Sequence, residues 1–280
     1  MTTSERLGLI AGNGRFPFLV LEAARARGFE VVVAAIKEET FPEIESHAAA
    51  AVHWLSLGEL SKLIETFKRE GVRRAIMAGQ VKHKQIFSSI RPDWRLAKLL
   101  LSLTTRNTDA LLGAVAKVLA DEGIQLENSA WLLEPLLAKP GLLTKRPPSE
   151  QERKNIAYGR AIARQLAQYD IGQTVVVAEA ACVAVEAMEG TDAVIERSGA
   201  IMASLEKDAS TLSRALTVVK IAKPHQDMRF DLPVIGLKTI AVMNRAGASC
   251  LAVDAGKCLL LDGDKIPAAA DVSNIAIVAE

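Results

Sequence analysis

The sequence predicts an α/β protein in two parts, a doubly wound parallel sheet followed by a second, mixed α/β domain. Three observations carry this. Short apolar runs alternate with amphipathic helical patterns through the first half. A glycine turn, Gly12-Asn13-Gly14, joins the first apolar run to the first helical pattern. A proline-rich stretch, "AKPGLLTKRPPS" (138–149), then interrupts the alternation, and a less regular series follows it.

Leu7–Ala11, Glu30–Ala35, Ala51–Leu55 and Arg74–Ala78 read as buried strands. Pro17 suits the first turn of a helix, with Leu19, Ala23 and Ala26 following at helical spacing. Ser56 and Glu59 have the spacing of a capping box. Leu60, Leu63, Ile64 and Phe67 then make one apolar face, and Gly71 stops the helix. A third helix starts near Thr108, carries Leu111, Leu112, Val115, Val118 and Leu119, and ends at Gly123. Strands alternating with helices give a Rossmann-like domain over residues 1–140. Residues 141–148 are expected as a linker, because Pro147-Pro148 cannot continue a helix. The second domain, 149–280, opens on a helix over Ser149–Leu166, capped by Ser149 with Glu152. Its strands are expected at Thr174–Val177, Cys182–Glu186, Thr217–Ile221, Ser249–Val253, Lys257–Leu261 and Ile275–Val278. Helical patterns lie around Ala193 and over Lys238–Ala246 and Ile266–Val272.

Composition narrows the function. The 280 residues are 50% hydrophobic and 24% charged, which suits a folded chain with a sizeable core. A net charge of +1 gives no global attraction to nucleic acid, and no nucleic-acid partner is expected. Cys182, Cys250 and Cys258 form no CxxC and read as buried apolar residues in a reducing compartment. No secretory signal and no apolar run near ~20 residues stands in the chain, so a cytoplasmic location is expected.

The glycine turn aims backbone N–H groups and a helix N-terminus at an anion, yet it also reads as a plain strand-to-helix turn. Pro17 occupies the third glycine position of a dinucleotide fingerprint, and no Walker lysine is present. "MAGQV" (77–81) ends the fourth strand, and in a doubly wound sheet its Gly79 would lie beside the first glycine turn. "TRNTDALL" (105–112) offers Arg106, Asn107 and Thr108 to phosphate or sugar, although helix capping explains it equally. "EAMEGTD" (186–192) groups Glu186, Glu189 and Asp192 around Gly190-Thr191. "KIAKPHQDMRFDLPVIG" (220–236) gathers Lys220, Lys223, His225, Asp227, Arg229 and Asp231. Cations beside carboxylates suit a phosphate held with a hard divalent metal, or else a solvated charged turn around a proline. No HExxH and no GxSxG is present, which weighs against zinc chemistry and a serine nucleophile.

Taken in order, "GLIAGNGRFP", "MAGQV", "TDALL", "YDIGQTVVV", "EAMEGTDA", "KPHQDMRFDLPVIG" and "AGASCLAV" resemble the bacterial UDP-2,3-diacylglucosamine pyrophosphatases of the alternative, non-calcineurin-like type, which serve lipid A biosynthesis. The resemblance runs from about residue 7 to the C-terminus, with "EGTD" and "RxDLPxIG" its most specific parts. It implies two domains closing on the substrate and Mg2+-dependent hydrolysis to UMP and 2,3-diacylglucosamine 1-phosphate (lipid X). It implies that Asp231 is critical, holding magnesium or orienting the attacking water. It further implies substrate contacts at Gly12, Asn13, Gly79, Gly172, Gln173, Thr191, Lys220 and Lys223, to which the "TRNTDALL" segment adds Thr108 as a candidate. The family pattern has glycine where Asn13 stands and asparagine where Gln80 stands.

Such a substrate carries two acyl chains. "WRLAKLLLSL" (94–103), with Arg91, Arg95 and Lys98 nearby, and "WLLEPLLAKPGLL" (131–143) read as core, as acyl-chamber walls, or as peripheral contact with the inner membrane. A homodimer is the default expectation. A sugar-nucleotide transferase or epimerase, or a non-catalytic nucleotide-sugar sensor, are the alternatives to hydrolysis.

Overall fold

The computed structural model describes residues 4–81, 91–103, 108–205, 215–224 and 226–280. These fall into two compact units. One is Met1–Glu134 with Asp227–Asp231, and the other is Pro135–Gln226 with Leu232–Glu280.

The first unit is built on β1 (Arg6–Ala11), β2 (Glu30–Ile36), β3 (Ala51–Leu55), β4 (Arg74–Ala78) and β5 (Gln125–Leu126). They pair in the order β3-β2-β1-β4-β5, every pair parallel. Parallel neighbours need crossovers. Helix α1 (Phe16–Ala26) supplies the one after β1, and α2 (Leu60–Arg69) the one after β3. Helices α3 (Trp94–Ser102) and α4 (Thr108–Asp121) stand between β4 and β5 in the chain. Val31 to Ala35 of β2 are all buried, as expected of a strand covered on both faces. Phe67 of α2 is fully buried beneath the sheet, worth about 1.5–3 kcal/mol for a side chain of this kind. The strand order reverses between β1 and β4, so this is the doubly wound sheet the alternation predicts.

Two local expectations change. The buried face of α1 is Pro17, Val20, Leu21 and Ala24, whereas Leu19 and Ala23 are half-buried and Ala26 is exposed. The helix begins at Phe16 and tucks Pro17 inward, which rotates the face by one residue. The expected capping box before α2 keeps one arm only. Glu59 Oε2 accepts from Ser56 N at 2.7 Å, and the helix starts after Glu59. Asp93 instead accepts from Ser61 N at 2.6 Å while capping its own helix through Leu96 N at 2.9 Å.

The second unit holds β6 (Gly141–Leu142), β7 (Thr174–Ala178), β8 (Ala181–Val185), β9 (Leu216–Lys220), β11 (Ala248–Val253) and β13 (Ala276–Ala279) in the order β6-β13-β11-β9-β7-β8. β9, β11 and β13 are parallel, while β7, β8 and β6 run antiparallel to their neighbours. A separate pair joins β10 (Val234–Ile235) to β12 (Leu259–Leu260), all that remains of the strand expected over Lys257–Leu261. Both sheet faces are apolar and both are covered. Val175 and Val177 pack with Ile156 and Ala163 of α5 (Glu150–Gln168). Val176 points the other way, into a core with α6 (Thr191–Leu205), α7 (Leu237–Arg245) and α8 (Lys265–Val272).

Residues 141–148 are fastened into this unit. β6 pairs with β13, and Arg146 bonds Glu152, Ser249 O and Asn274 O. The capping box of α5 is complete, with Glu152 N on Ser149 Oγ at 3.2 Å and Ser149 N on Glu152 Oε2 at 2.7 Å. Cys250 and Cys258 are buried, and burial pushes both thiols up to about 12. Cys182 departs from the expectation and is exposed, because β8 is an edge strand entered from a tight turn at Glu179-Ala180.

Candidate active site

In the first unit the ends of β1 and β4 meet as the sequence predicts. Gly12 N donates to Ala78 O at 2.8 Å, Asn13 N to Gln80 O at 2.7 Å, and Gln80 N to Asn13 O at 3.2 Å. Both glycines are needed for this approach. A Cβ on Gly12 would stand 2.7 Å from Gln80 O. One on Gly79, whose φ is +91°, would stand 2.6 Å from Asn13 O. Asn13 Nδ2 donates to Glu39 O at 3.1 Å, and Thr40 Oγ1 donates to Ala11 O at 2.5 Å, which ties in the end of β2. Beside this cradle lies an open cavity of 660 Å³ lined by Asn13, Lys37, Glu39, Thr40, Phe41 and Trp54. Pro17 sits in the first turn of α1 and carries no N–H, so this helix start has one donor fewer than a dinucleotide loop.

Asp231 belongs to the same unit, although the chain on either side of residues 227–231 lies in the other. Residues 227–231 form a tight turn in which Phe230 N and Asp231 N both donate to Asp227 O, at 3.2 and 3.0 Å. The Asp227 carboxylate grips Arg229 through Nε and Nη2, at 2.9 and 2.6 Å. That guanidinium holds the Asp227 carboxyl below its ordinary range. Ser129 pins the turn to the sheet. Its N–H donates to Met228 O at 2.8 Å, and its hydroxyl lies 2.5 Å from Arg229 O and 2.7 Å from Met77 O on β4. Asp231 is thereby held on a turn anchored through Ser129 to Met77, at the end of the strand that Gly79 follows. Ser129 is a residue the sequence reading missed, since one serine in "ENSA" carries no signal of its own.

The second unit gathers a buried polar cluster from four segments. Lys220 at the end of β9 donates to Thr191 Oγ1 at 2.7 Å, and Thr191 Oγ1 donates to Glu186 Oε1 at 2.9 Å. Thr174 Oγ1 stands 3.3 Å from Thr191 Oγ1, and Gln173 N donates to Glu186 Oε2 at 3.3 Å. Three of the residues the resemblance implies, Gln173, Thr191 and Lys220, thus come together here.

Other expected members disperse. Lys223 Nζ bonds Asp170 Oδ1 at 2.5 Å. Arg229 is occupied by Asp227. Glu189 pairs with Arg197, and Asp192 with Lys238 and Thr239, so of the three acids in "EAMEGTD" Glu186 alone joins the cluster. Thr108 is the first residue of α4, and its side chain lies outside the described residues, as do Arg106, Asn107 and His225. Among the described residues no three His, Cys, Asp or Glu side chains are placed to hold a metal ion together. A magnesium ion does not require them, because it keeps waters and takes one or two carboxylates with phosphate oxygens.

The leucine-rich segments divide. Leu132, Leu133 and Ala138 are buried and Trp131 lies under Arg74 at 4.2 Å, so these positions of the 131–143 stretch join the core, while Glu134, Pro135 and 139–142 are exposed. Helix α3 buries Leu96 but leaves Trp94 67% and Leu101 82% exposed. Among the described residues no helix is long and apolar enough to cross a membrane.

Comparison with known proteins finds two family models along the chain, described as the LpxI N-terminal domain over residues 6–136 and the LpxI C-terminal domain over 139–278. A relative from Caulobacter vibrioides, named UDP-2,3-diacylglucosamine pyrophosphatase LpxI, is 33% identical over 269 residues, covering 95% of this chain and 94% of its own. Among solved structures, the biotin carboxylase domain dimer of the Hydrogenobacter thermophilus 2-oxoglutarate carboxylase aligns over 72% of this chain and 42% of that one. Identity is 12% and the TM-score 0.26.

Proposed function

The chain belongs to the LpxI family, and from that premise we propose that it hydrolyses the pyrophosphate bond of UDP-2,3-diacylglucosamine to UMP and 2,3-diacylglucosamine 1-phosphate in lipid A biosynthesis. The observation that carries the reading is the near-full-length match to a relative named for that activity.

The geometry supports it. Hydrolysis of a pyrophosphate diester asks mainly for positioning and for charge opposite the phosphate oxygens. The Gly12–Gly79 cradle joins the ends of β1 and β4 at the strand-order switch, the place where doubly wound sheets take ligands. Lys220 offers a buried ammonium in the second unit. Asp231, on a turn fixed by Ser129 and the Asp227–Arg229 pair, orients the attacking water or the metal. Magnesium bound through Asp231 and phosphate oxygens would supply positive charge to the transition state. Asp231→Asn removes the carboxylate charge at nearly constant shape. Phosphorus NMR should then show intact substrate, where the unaltered protein yields two phosphomonoesters. Calorimetry should still show binding. Near-normal turnover by that variant would refute its role, and intact substrate with the unaltered protein would refute the reaction.

The substrate's two acyl chains place it in a membrane, and α3 is the element we assign to that surface. Trp94, Lys98 and Leu101 recur at helical spacing on α3 and are exposed, and the exposed Arg91 stands just before the helix. Asp93, the one acid of the segment, is used up in capping. Cations interleaved with Trp and Leu suit an anionic bilayer surface.

A further inference from the structure

The Lys220 ammonium carries three protons but is only 6% exposed. Among the described residues it makes one hydrogen bond, to Thr191 Oγ1, and no ion pair. A buried cation without a partner is costly, so its charge must be met indirectly or by a ligand. The indirect partner is Glu186, itself 7% exposed, with the Thr191 hydroxyl between them.

Proton counting fixes the direction of every bond. Thr191 Oγ1 has one proton and two lone pairs. A carboxylate only accepts and an ammonium only donates, so the single proton goes to Glu186 and a lone pair receives Lys220. Thr174 Oγ1, at 3.3 Å, must then be a donor to the remaining lone pair. Thr191 is saturated by this arrangement, and two protons of Lys220 are left for something else. The other Glu186 oxygen accepts from Gln173 N at 3.3 Å, and Glu186 N donates to Thr174 O at 2.8 Å. Gly172 makes the approach possible, since a Cβ there would sit 2.0 Å from Glu186 O. Gln173 Oε1 is buried and finds no hydrogen-bond partner among the described residues. The cluster therefore presents ammonium protons, which want an anionic oxygen, and an amide oxygen, which wants a hydroxyl.

Resting on the reading above, we propose that Glu186 is a positioning residue. It holds Thr191, and through it the Lys220 ammonium, for an anionic oxygen of a phosphorylated sugar. Glu186 acts through Thr191 and not on the substrate: each of its oxygens already accepts a bond within the cluster, and an acceptor-only carboxylate has nothing to donate to an anionic oxygen.

A double-mutant cycle tests this with Glu186→Gln, Lys220→Met and both together, each checked for an unchanged melting temperature. Coupled residues lose activity non-additively. Glu186→Gln should lower kcat/KM by about 10-fold or more, and the double variant should be no worse than Lys220→Met alone. Losses that multiply in the double variant overturn the proposal. Should Glu186→Gln fail to fold, Thr191→Val breaks the same relay, and Thr191→Ser should restore activity; a serine variant as impaired as the valine one overturns it. Affinity for inorganic pyrophosphate provides a readout independent of turnover. It should fall about 10-fold in Glu186→Gln, and equal affinities overturn the positioning role. A wild type that binds pyrophosphate but leaves the lipid substrate intact refutes the proposed reaction, and the two affinities then decide the role of Glu186.

Discussion

At Gly79 two constraints coincide, a φ of +91° and a neighbouring carbonyl 2.6 Å from where a Cβ would stand. Gly79→Ala should therefore cost about 1–3 kcal/mol for the backbone alone, and more once Asn13 is displaced. Urea unfolding should show a lower midpoint at an unchanged slope, and turnover should fall with it; an unshifted midpoint would mean that the cradle yields freely. Gly12 and Gly79 were legible as residues because a strand end followed by glycine is a local pattern. Ser129 was not, since its partners Met77 and Arg229 are set by the fold, and the Asp227–Arg229 grip stood in the sequence only as part of a charged run. Glu186 was visible in "EAMEGTD" but could not be told from Glu189 and Asp192. Which acid turns toward Lys220 is decided where β8 ends and α6 begins.

Helix α5 shows what a local signal can achieve. Ser149 and Glu152 cap it as their spacing predicts. Glu152 does more than cap. Burial would raise its carboxyl, but Arg146, the Ser249 hydroxyl and Ser149 N–H overcome that and hold it at about 2 against an ordinary 4.5. A depressed folded-state value means that this contribution is fully present above about pH 4.5 and is lost as pH falls toward 2. Glu152→Gln should lower stability at pH 7 and flatten the decline between those two values, as read by urea unfolding across the pH series; parallel curves would assign the decline elsewhere. Helix α3 gives the opposite case, with a stripe of Trp94, Lys98 and Leu101 facing outward and the exposed Arg91 just before it. The protein should co-sediment with anionic vesicles more than with neutral ones, and Trp94→Ala with Leu101→Ala should weaken this several-fold. Vesicle binding indifferent to both changes, or a loss of self-association in its place, would reassign the stripe. The shortest elements largely escaped the sequence. β5, β6 and β10 have two residues each, too few for any periodicity to register, and β12 is a two-residue remnant of the strand expected over Lys257–Leu261.

At the scale of the molecule, the alternation of the first half sufficed for the parallel sheet, because the crossovers after β1, β3 and β4 are helices and only the one from β2 to β3 is a short 3-10 turn at Pro42–Ser46. The second sheet mixes parallel and antiparallel pairs, and its strand order was not readable from runs that look alike. Least readable of all was the membership of residues 227–231, since no local pattern states which sheet a five-residue turn will join. That membership also sets a timetable. The partners Ser129 and Arg229 are 100 residues apart in the chain. At a synthesis rate of about 5–20 residues per second, the last piece of the first unit leaves the ribosome roughly 5–20 s after the serine that awaits it. Throughout that interval the nascent sheet has its strands but lacks the turn bearing Asp231, so the first unit is completed only after most of the second has been made.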